Sequence, residues 1–347
     1  MRKIINRALL VLLVATISSS LAARYYPVTR MQSSVTTEKI TRNSLKGNDR
    51  RIFQQIQFID ELWGWAATAH TLWKTDDGGK VWAEVRSASE ITLLKNHQPQ
   101  ALLAMFQLLT RNEGWLLEDD YLLHTTDAGK TWQKQIFKNV IIRSFAFVSE
   151  KRGWAVGELL HINDGAPESW EGVIFSTSDR GTTWKKAQVR GHRHFNWRLF
   201  DVWPVTLGEV WVVGDIILKS VDGGKTWREV DIPDGVFGMP MRIRFASPSV
   251  GWIRTSQGDK YLLTTNGGKT WDIRAAPPET GGFIDLVYID GTEAWGISKG
   301  LYRSTDSGKS WSKVSEEDFQ SIQYLSQRDT LFVAGETVAT YKHGLRR

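Results

Sequence analysis

The chain has 347 residues and no cysteine, which excludes a disulfide framework, a thiolate zinc site and a cysteine nucleophile. Its hydrophobic content of 41% is ordinary for a globular protein, whereas 17 tryptophans are a large excess for this length. The formal net charge of +6 falls to +3 without the basic residues of positions 1–22, so a nucleic-acid partner has little electrostatic support.

Residues 1–22 have the pattern of a Sec-type signal peptide, in which basic residues precede an apolar run at 8–17 and small residues follow. We predict cleavage after Ala22 and export to a periplasm, a thylakoid lumen or the extracellular space. The apolar run is short for a membrane span, which needs about 20 apolar residues, and an uncleaved anchor is the alternative. Residues 23–50 are assigned to an N-terminal linker that includes a ring-closing strand.

A repeat dominates the rest of the chain. The pattern [S/T]-x-[D/N]-x-G-x-x-W occurs six times, and its closing tryptophans are 50, 52, 43, 44 and 40 positions apart. We call each copy a box. The acidic or amide residues of the six boxes are Asp77, Asp127, Asp179, Asp222, Asn266 and Asp306. A second tryptophan precedes each box, so 12 of the 17 tryptophans occupy two repeating positions. Such a period indicates a repeat architecture in which these residues are structural.

Within one repeat the local pattern predicts four short strands, at 143–149, 153–158, 172–177 and 183–189. Four strands in about 40 to 50 residues make one blade of a β-propeller. The box falls at the turn between the third and fourth strands. There the aspartate can accept hydrogen bonds from turn amides, the serine or threonine hydroxyl can cap the turn, and glycine permits a positive φ. We expect the box tryptophan to pack between sheets.

The two ends of the chain together supply one more blade. Residues 321–344 predict three strands, with Phe332 at the tryptophan position, and residues 33–42 form a strand-like stretch that can pair with them. Such closure removes exposed sheet edges. We therefore predict an all-β, seven-bladed β-propeller of four-stranded antiparallel blades over residues 51–347, with its ring closed by an N-terminal strand. Six or eight blades are the alternatives.

Candidate partner-binding residues lie away from the boxes. In a blade, the box turn and the first-to-second-strand turn share one face, and the links between blades lie on the other. The link 188–199 and the insertion 159–171 both map to that second face. The link holds the densest basic and aromatic cluster of the chain: Arg190, His192, Arg193, His194, Trp197 and Arg198. A binding patch is one interpretation, because Arg and Trp are enriched at interface hot spots. A solvated loop whose tryptophan packs into the neighbouring blade is the other.

Three further arginines, Arg143, Arg242 and Arg244, lie near the starts of predicted inner strands and are assigned to the same surface. The alternative is that they pair with acidic neighbours: Glu158, Asp201 or Asp215. No metal site or cofactor is predicted. The Gly-Lys-[Thr/Ser] runs of the boxes lack the first glycine of a phosphate-binding loop, and no box continues into a calcium-binding loop.

The boxes resemble those of the BNR/Asp-box superfamily, which includes sialidases, xyloglucan-active glycosidases and sortilin-type receptor domains. A narrower resemblance is to the photosystem II stability/assembly factor family, whose repeat reads roughly F-x(6)-G-W-x-V-G and then T-x-D-G-G-x-T-W. The segments 147–157 and 245–252, with the boxes at 222–227 and 266–271, look like that consensus. Against it, several blades lack the full consensus and the chain has no lipobox cysteine.

This resemblance implies an exported, non-enzymatic and monomeric scaffold that binds a protein, such as a membrane-protein assembly intermediate of the photosystem II type. The alternative is a sialidase-like or other glycan-active enzyme, or a lectin, that uses the central depression. Arg143, Arg198 and Arg242 could be offered as a sialidase triad, but the Arg-Ile-Pro signature of that family is absent. A xyloglucanase would typically use two propellers, and this chain encodes one.

Overall fold

The computed structural model describes residues 38–39, 43–44, 52–87, 103–119, 121–163, 166–189, 197–233, 235 and 238–342. The regular structure of these residues is strand, with two short 3-10 helices at Pro278–Thr280 and Ser326–Arg328. None of the helices in this described part is long and apolar enough to cross a bilayer.

The strands follow one another as seven sheets. Two N-terminal strands are β1 (Glu38–Lys39) and β2 (Asn43–Ser44). Blade 1 contains β3 (Gln55–Phe58), β4 (Gly64–Ala67), β5 (Thr71–Thr75) and β6 (Ala83–Ser87). Blade 2 contains β7 (Leu103–Leu108), β8 (Gly114–Glu118), β9 (Tyr121–Thr125) and β10 (Gln133–Gln135). Blade 3 contains β11 (Val140–Phe147), β12 (Gly153–Asn163), β13 (Ala166–Thr177) and β14 (Lys185–Lys186).

The remaining blades have the same strand sequence. Blade 4 contains β15 (Leu199–Pro204), β16 (Val210–Gly214), β17 (Ile217–Ser220) and β18 (Arg228–Glu229). Blade 5 contains β19 (Pro240–Phe245), β20 (Gly251–Thr255), β21 (Lys260–Thr264) and β22 (Asp272–Ala275). Blade 6 contains β23 (Asp285–Tyr288), β24 (Ala294–Ser298), β25 (Gly300–Ser304) and β26 (Ser312–Ser315). Blade 7 contains β27 (Phe319–Leu325), β28 (Thr330–Gly335) and β29 (Thr337–Lys342).

The architecture is the predicted seven-bladed β-propeller, with antiparallel strands paired in chain order within each blade. The predicted closure is also confirmed, because Glu38 and Lys39 pair with Lys342 and Tyr341, and β2 pairs with the start of β29. Phe332, the residue at the tryptophan position of this blade, is buried and stacks on Phe58 of blade 1, with ring centroids 4.1 Å apart. Blade 7 is therefore completed by the N-terminal segment.

No strand was predicted within the insertion 159–171, yet its described residues form strands. Strands β12 and β13 continue through it as a hairpin, paired from Gly153 with Thr177 to Asn163 with Ala166. A cross-strand ladder satisfies the backbone polar groups that a long loop would leave to solvent. The segment therefore extends blade 3 and is not an irregular loop.

The box turns are built by short-range oxygen contacts. In the second box the Thr125 hydroxyl donates to Asp127 Oδ1 at 2.8 Å and accepts from the Gly129 amide at 2.9 Å. The Asp127 carboxylate also accepts from the Thr131 amide and hydroxyl, at 2.9 and 2.6 Å. The hydroxyl-to-Oδ1 bond recurs in the other five boxes. These are the hydrogen bonds predicted for the turn.

Each box is tied to the first-to-second-strand loop of its own blade, so both lie on one face of the propeller, as predicted. In every blade with a box, one turn amide donates to a carbonyl of that loop. The donor and acceptor pairs are Gly78 and Leu62, Ala128 and Asn112, Arg180 and Lys151, Gly223 and Gly208, Gly267 and Ser249, and Ser307 and Thr292. We call this side the box face and the opposite side, where the inner strands begin, the mouth face.

The core lies between the blades and is dominated by tryptophan. Trp65, Trp115, Trp154 and Trp211, from the position that precedes each box, are 0% exposed. The box glycine of the following blade lies directly on the rings of Trp115, Trp154 and Trp211. A Cβ on Gly224, for example, would lie 2.6 Å from Trp154 Nε1. Because a box glycine also has a positive φ, it is required both by its backbone and by the neighbouring indole.

Candidate functional site

A cavity of about 210 Å³ lies at the centre of the propeller, where the inner strands begin. All seven blades contribute to it. Its lining residues are Gln54, Gln55, Met105, Arg143, Ser144, Phe200, Asp201, Met241, Arg242, Arg244, Asp285 and Ser321. We call this cavity and its rim the mouth. Concave sites of this kind, with a few convergent polar groups, are the usual places for ligands.

The lining of the channel differs between two arcs. From blade 7 to blade 3, glutamine side chains clamp the backbone of the next inner strand. Gln55 both donates to and accepts from Phe106, at 2.8 and 3.0 Å, and Gln107 does the same with Phe147, at 2.8 and 2.7 Å. Gln57 and Gln323 repeat this double contact. From blade 3 to blade 6, charged side chains make the contacts instead.

Asp201 is the centre of the charged arc. Its carboxylate accepts from the Ser144 hydroxyl of blade 3 at 2.7 Å, and from the Ile243 amide and Arg244 Nη1 of blade 5 at 3.0 and 2.5 Å. The Arg244 guanidinium also lies over the Trp203 ring, 4.7 Å from its centroid. Burial lowers the pKa of Arg244, and the charge of Asp201 opposes that shift. This carboxylate therefore joins three consecutive blades.

The other two predicted arginines also have acidic partners. Arg143 makes two hydrogen bonds with the Glu158 carboxylate, at 3.1 and 3.3 Å. Arg242 Nη1 lies 3.2 Å from Asp285 Oδ2 of blade 6. The structure thus places Arg143, Arg242 and Arg244 in the mouth and pairs each with a carboxylate, as the second interpretation expected, while their role in partner binding stays a prediction.

A fourth arginine near this cluster was not predicted from the sequence. Arg254 lies directly opposite Arg242 in the register of β19 and β20. Its Nε is buried and has no hydrogen-bond partner, and none of the described residues forms an ion pair with it. Burial lowers the pKa of Arg254 and the charge of Arg242 lowers it further, while the charges of Asp285 and Asp201 oppose the shift. Like charges directly opposite in a sheet are unfavourable, so this pair is unusual for a purely structural position. This pairing could have been found from the sequence, because Arg-Ile-Arg at 242–244 and Gly-Trp-Ile-Arg at 251–254 lie on two strands joined by a turn.

The cluster has one guanidinium more than it has carboxylates. Three arginines, Arg143, Arg242 and Arg244, line the cavity and each pairs with a carboxylate. Arg254 lies opposite Arg242 in the sheet, outside the cavity lining, and forms no ion pair with a described carboxylate. Because arginine presents a planar set of donors that matches a carboxylate, the arrangement can accept an anionic group from outside.

The link 188–199 is described only in part, since Arg190, His192, Arg193 and His194 lie outside the described residues. Trp197 is only 7% exposed and packs with Leu199 and the blade 4 core. Its ring lies against Gly172, where a Cβ would approach to 2.6 Å. The tryptophan therefore packs into the neighbouring blades, the second of the two interpretations given for it.

Arg198 is at the rim of the mouth. Its amide donates to Asp215 Oδ2 at 2.8 Å, and its Nε lies 3.5 Å from the same oxygen. Its Nη2 lies 3.7 Å from Met239 Sδ. Among the described residues, no group of three or more histidine, aspartate and glutamate side chains could hold a metal ion. The mouth therefore offers guanidinium, carboxylate and thioether groups as its chemistry.

Comparison with known proteins gives the following relationships. The sequence model of the family described as Photosynthesis system II assembly factor YCF48 matches residues 36–141 and 135–276. The photosystem II stability/assembly factor HCF136 of Arabidopsis thaliana is 24% identical, over 72% of this chain and 64% of its own. Xyloglucanase Xgh74A of Acetivibrio thermocellus is 25% identical, over 58% of this chain and 30% of its own. The chain thus spans less than two thirds of the length of these relatives.

A solved structure of YCF48 bound to a D1 peptide superimposes with a TM-score of 0.59 and 20% identity. The match covers 91% of this chain and 99% of that one. At this identity the likeness shows a shared propeller fold.

Proposed function

Because the chain belongs to the Photosynthesis system II assembly factor YCF48 family, we propose that it is an exported, non-enzymatic protein that binds an anionic segment of a protein partner at the mouth. The single observation that carries this proposal is the Arg254 guanidinium, which is half-buried opposite Arg242 and forms no ion pair with a described carboxylate, although the charges of Asp285 and Asp201 attract it. Two like charges directly opposite in a sheet are unfavourable, and a bound carboxylate would offset the excess positive charge of this pair.

The shape of the mouth supports a peptide segment as the ligand. The cavity is central and small, and its lining combines arginines with Met105, Phe200 and Met241. An extended chain with one carboxylate beside an apolar side chain matches both kinds of lining. The YCF48 structure that shares this fold is described as bound to a D1 peptide, which makes a membrane-protein segment the first partner to test.

The cellular setting of the proposal comes from residues 1–22, whose pattern is that of a Sec-type signal. Export would bring the propeller to the periplasmic, lumenal or extracellular side of a membrane. There it could bind an assembly intermediate of a membrane-protein complex as a monomer. A photosystem II type intermediate is the partner that family membership favours.

A glycan-active enzyme is the second candidate, favoured by the similarity to a xyloglucanase. The geometry of the mouth is against it. Glycoside hydrolysis uses a carboxylic acid that protonates the leaving group and a second carboxylate. In the mouth, Glu158, Asp201 and Asp285 are each engaged by an arginine. Incubation of the purified protein with xyloglucan and sialosides should therefore release no sugar, and measurable turnover would overturn the non-enzymatic proposal.

The binding proposal is tested with a labelled D1 peptide and the purified protein that begins at Ala23. We expect Arg254→Gln to weaken binding at least tenfold, which corresponds to about 1.4 kcal/mol. The matched control is Arg228→Gln, because Arg228 is exposed on the outer strand β18. A D1 peptide whose carboxylates are converted to amides should bind the wild type as weakly as the intact peptide binds Arg254→Gln.

Two outcomes contradict the proposal in different ways. Equal affinity of the wild type and Arg254→Gln for the peptide would exclude the mouth as the binding site. Absence of binding to the wild type would exclude a D1-type partner. Thermal unfolding of each variant shows that any loss of affinity arises in the folded protein.

A further inference from the structure

The methionines of this chain are concentrated at one place. Of the five in the sequence, Met1 and Met31 precede the propeller, and the other three are Met105, Met239 and Met241. Met105 and Met241 line the cavity, and Met239 precedes Met241 by two residues and lies beside Arg198. Every methionine in the described part of the chain is therefore in the cavity wall or within two residues of it.

Each of two methionine sulfurs lies next to a polar network of the mouth. Met105 Sδ is 3.6 Å from the Ser144 hydroxyl, whose shorter contact is the 2.7 Å bond to Asp201. Met239 Sδ is 3.7 Å from Arg198 Nη2, and Arg198 in turn pairs with Asp215. The sulfurs thus lie between the apolar lining and the charges. Methionine is flexible and polarizable, and it is common on surfaces that adapt to ligands.

The three side chains remain accessible to solvent. Met239 is 38% exposed, and Met105 and Met241 are half-buried in the cavity wall. A core methionine that fills a gap would be closed off from reagents, whereas these are open to a small oxidant that enters the mouth. The rate at which a methionine is oxidised depends on its exposure to the oxidant, because a thioether does not have to lose a proton before it reacts.

We propose that Met105, Met239 and Met241 form the apolar half of the binding site and make it sensitive to peroxide. This inference rests on the proposed function, since it assigns the three sulfurs to the surface that contacts the partner. An apolar side chain of the partner packs against the thioethers, next to a carboxylate that accepts hydrogen bonds from Arg254. The partner segment therefore carries a large apolar residue close to an acidic group.

Oxidation changes this surface through a balanced reaction. Hydrogen peroxide transfers one oxygen atom to the thioether sulfur, the sulfur gives up two electrons, and water is released. The sulfoxide is polar and can be reduced again by methionine sulfoxide reductases. Its oxygen is a hydrogen-bond acceptor, so at Met239 it can bind the Arg198 guanidinium, which lies 3.7 Å from the sulfur. The surface then loses its apolar contact and gains an acceptor that competes with the carboxylate of the partner.

The test compares the affinity of a labelled D1 peptide for the reduced protein, for the hydrogen peroxide-treated protein and for the treated protein after sulfoxide reduction. We expect oxidation to weaken binding about tenfold, equal to about 1.4 kcal/mol, and reductase treatment to restore it. Peptide mapping by mass spectrometry should show Met239 oxidised first, because it is the most exposed. Most of the affinity should be lost only when the cavity residues Met105 and Met241 are oxidised.

The matched control is the triple variant Met105→Leu, Met239→Leu and Met241→Leu. Leucine and methionine have similar volumes, so we expect this variant to fold and to bind the peptide. Its affinity should not respond to peroxide, although Met31 is still present. Equal affinity of the reduced and fully oxidised wild type would overturn the methionine inference and leave the Arg254 site standing. If the reduced wild type does not bind the peptide, both proposals are wrong.

Discussion

The box face and the mouth face are built by opposite principles. On the box face one turn recurs six times, and its carboxylate or amide oxygens are satisfied by groups within four residues, as Asp127 is by Thr125 and Thr131. At the mouth several polar side chains find their partner in another blade, as Ser144 does with Asp201 and Arg242 does with Asp285. The repeated turns of the box face thus satisfy their polar groups with nearby residues. Near the mouth, where the contacts do not repeat, the Arg254 guanidinium forms no ion pair with a described residue.

The comparison separates stability from function. In the third, fourth and fifth boxes a Cβ on Gly181, Gly224 or Gly268 would strike the indole of the preceding blade, so the box face holds these blades together. The mouth contains both kinds of residue. Asp201 joins blades 3, 4 and 5, whereas Arg254 makes no ion pair with any described residue. Substitutions can therefore test which parts of the mouth belong to the scaffold.

We expect the largest loss of stability from Asp201→Ala, because Asp201 is a mouth residue that holds blades together, as the box residues do. Removal of this carboxylate leaves the Arg244 guanidinium, the Ser144 hydroxyl and the Ile243 amide without their acceptor. Loss of one partner of a buried ion pair typically costs about 3 to 5 kcal/mol. Urea unfolding should show a loss in this range.

The control for Asp201→Ala is Asp215→Ala, because Asp215 pairs with Arg198 at the exposed rim. An exposed pair contributes at most about 1 kcal/mol, so the free energy of unfolding should change little. Adding Arg244→Met to Asp201→Ala should recover part of the lost stability, since it removes the uncompensated charge. Equal losses for Asp201→Ala and Asp215→Ala would contradict the scaffold role of Asp201.

A somewhat smaller loss is expected from Gly268→Ala on the box face. Gly268 has a φ of +74°, and a Cβ there would lie 2.5 Å from Trp211 Cζ2. Backbone strain and overpacking together should cost about 2 to 4 kcal/mol. Thermal unfolding measures the change. Gly281→Ala isolates the backbone contribution, because Gly281 has a φ of +67° with no atom within 4 Å of its Cβ position. If both variants lose the same stability, the contact with Trp211 is unimportant.

The smallest change in stability is expected when the pH is lowered, because acid protonates the carboxylates of the box face. The Thr131 hydroxyl lowers the pKa of Asp127 to about 2, and the Thr183 hydroxyl does the same for Asp179. An ordinary aspartate has a pKa of about 3.9. A folded-state pKa below the unfolded value means that the stabilisation is complete above about pH 4 and is lost as the pH falls toward 2.

Asn266 supplies the matched comparison for this acid response, since it makes the same Oδ1 contacts without a titrating group. Asp127→Asn should keep the fold at pH 7 and flatten the loss of stability between pH 4 and 2. Asn266→Asp should steepen it. Urea midpoints measured across this range test both variants, and identical pH profiles for all three proteins would show that the box carboxylates do not govern acid stability.

Much of this molecule follows from local sequence. The box turns, the strand order of each blade, the closure by residues before Gln55 and the face on which the boxes lie could all be predicted, because these features rest on contacts between nearby residues or on a fixed repeat. The hairpin at 159–171 was missed because its charged and turn-forming residues resemble those of a loop.

The tertiary structure alone decided which residues form the mouth. Trp197 lies in a basic link that looks like a surface patch, yet the neighbouring blade buries it. Asp201 meets Ser144 and Arg244, which are 57 and 43 positions away in the chain. Arg254 is notable only because the register places it opposite Arg242 and leaves it without a carboxylate. The sequence by itself determined the repeating scaffold through short-range hydrogen bonds. The pairing and burial of the mouth residues depend on how separate blades meet around the channel, which no local pattern records.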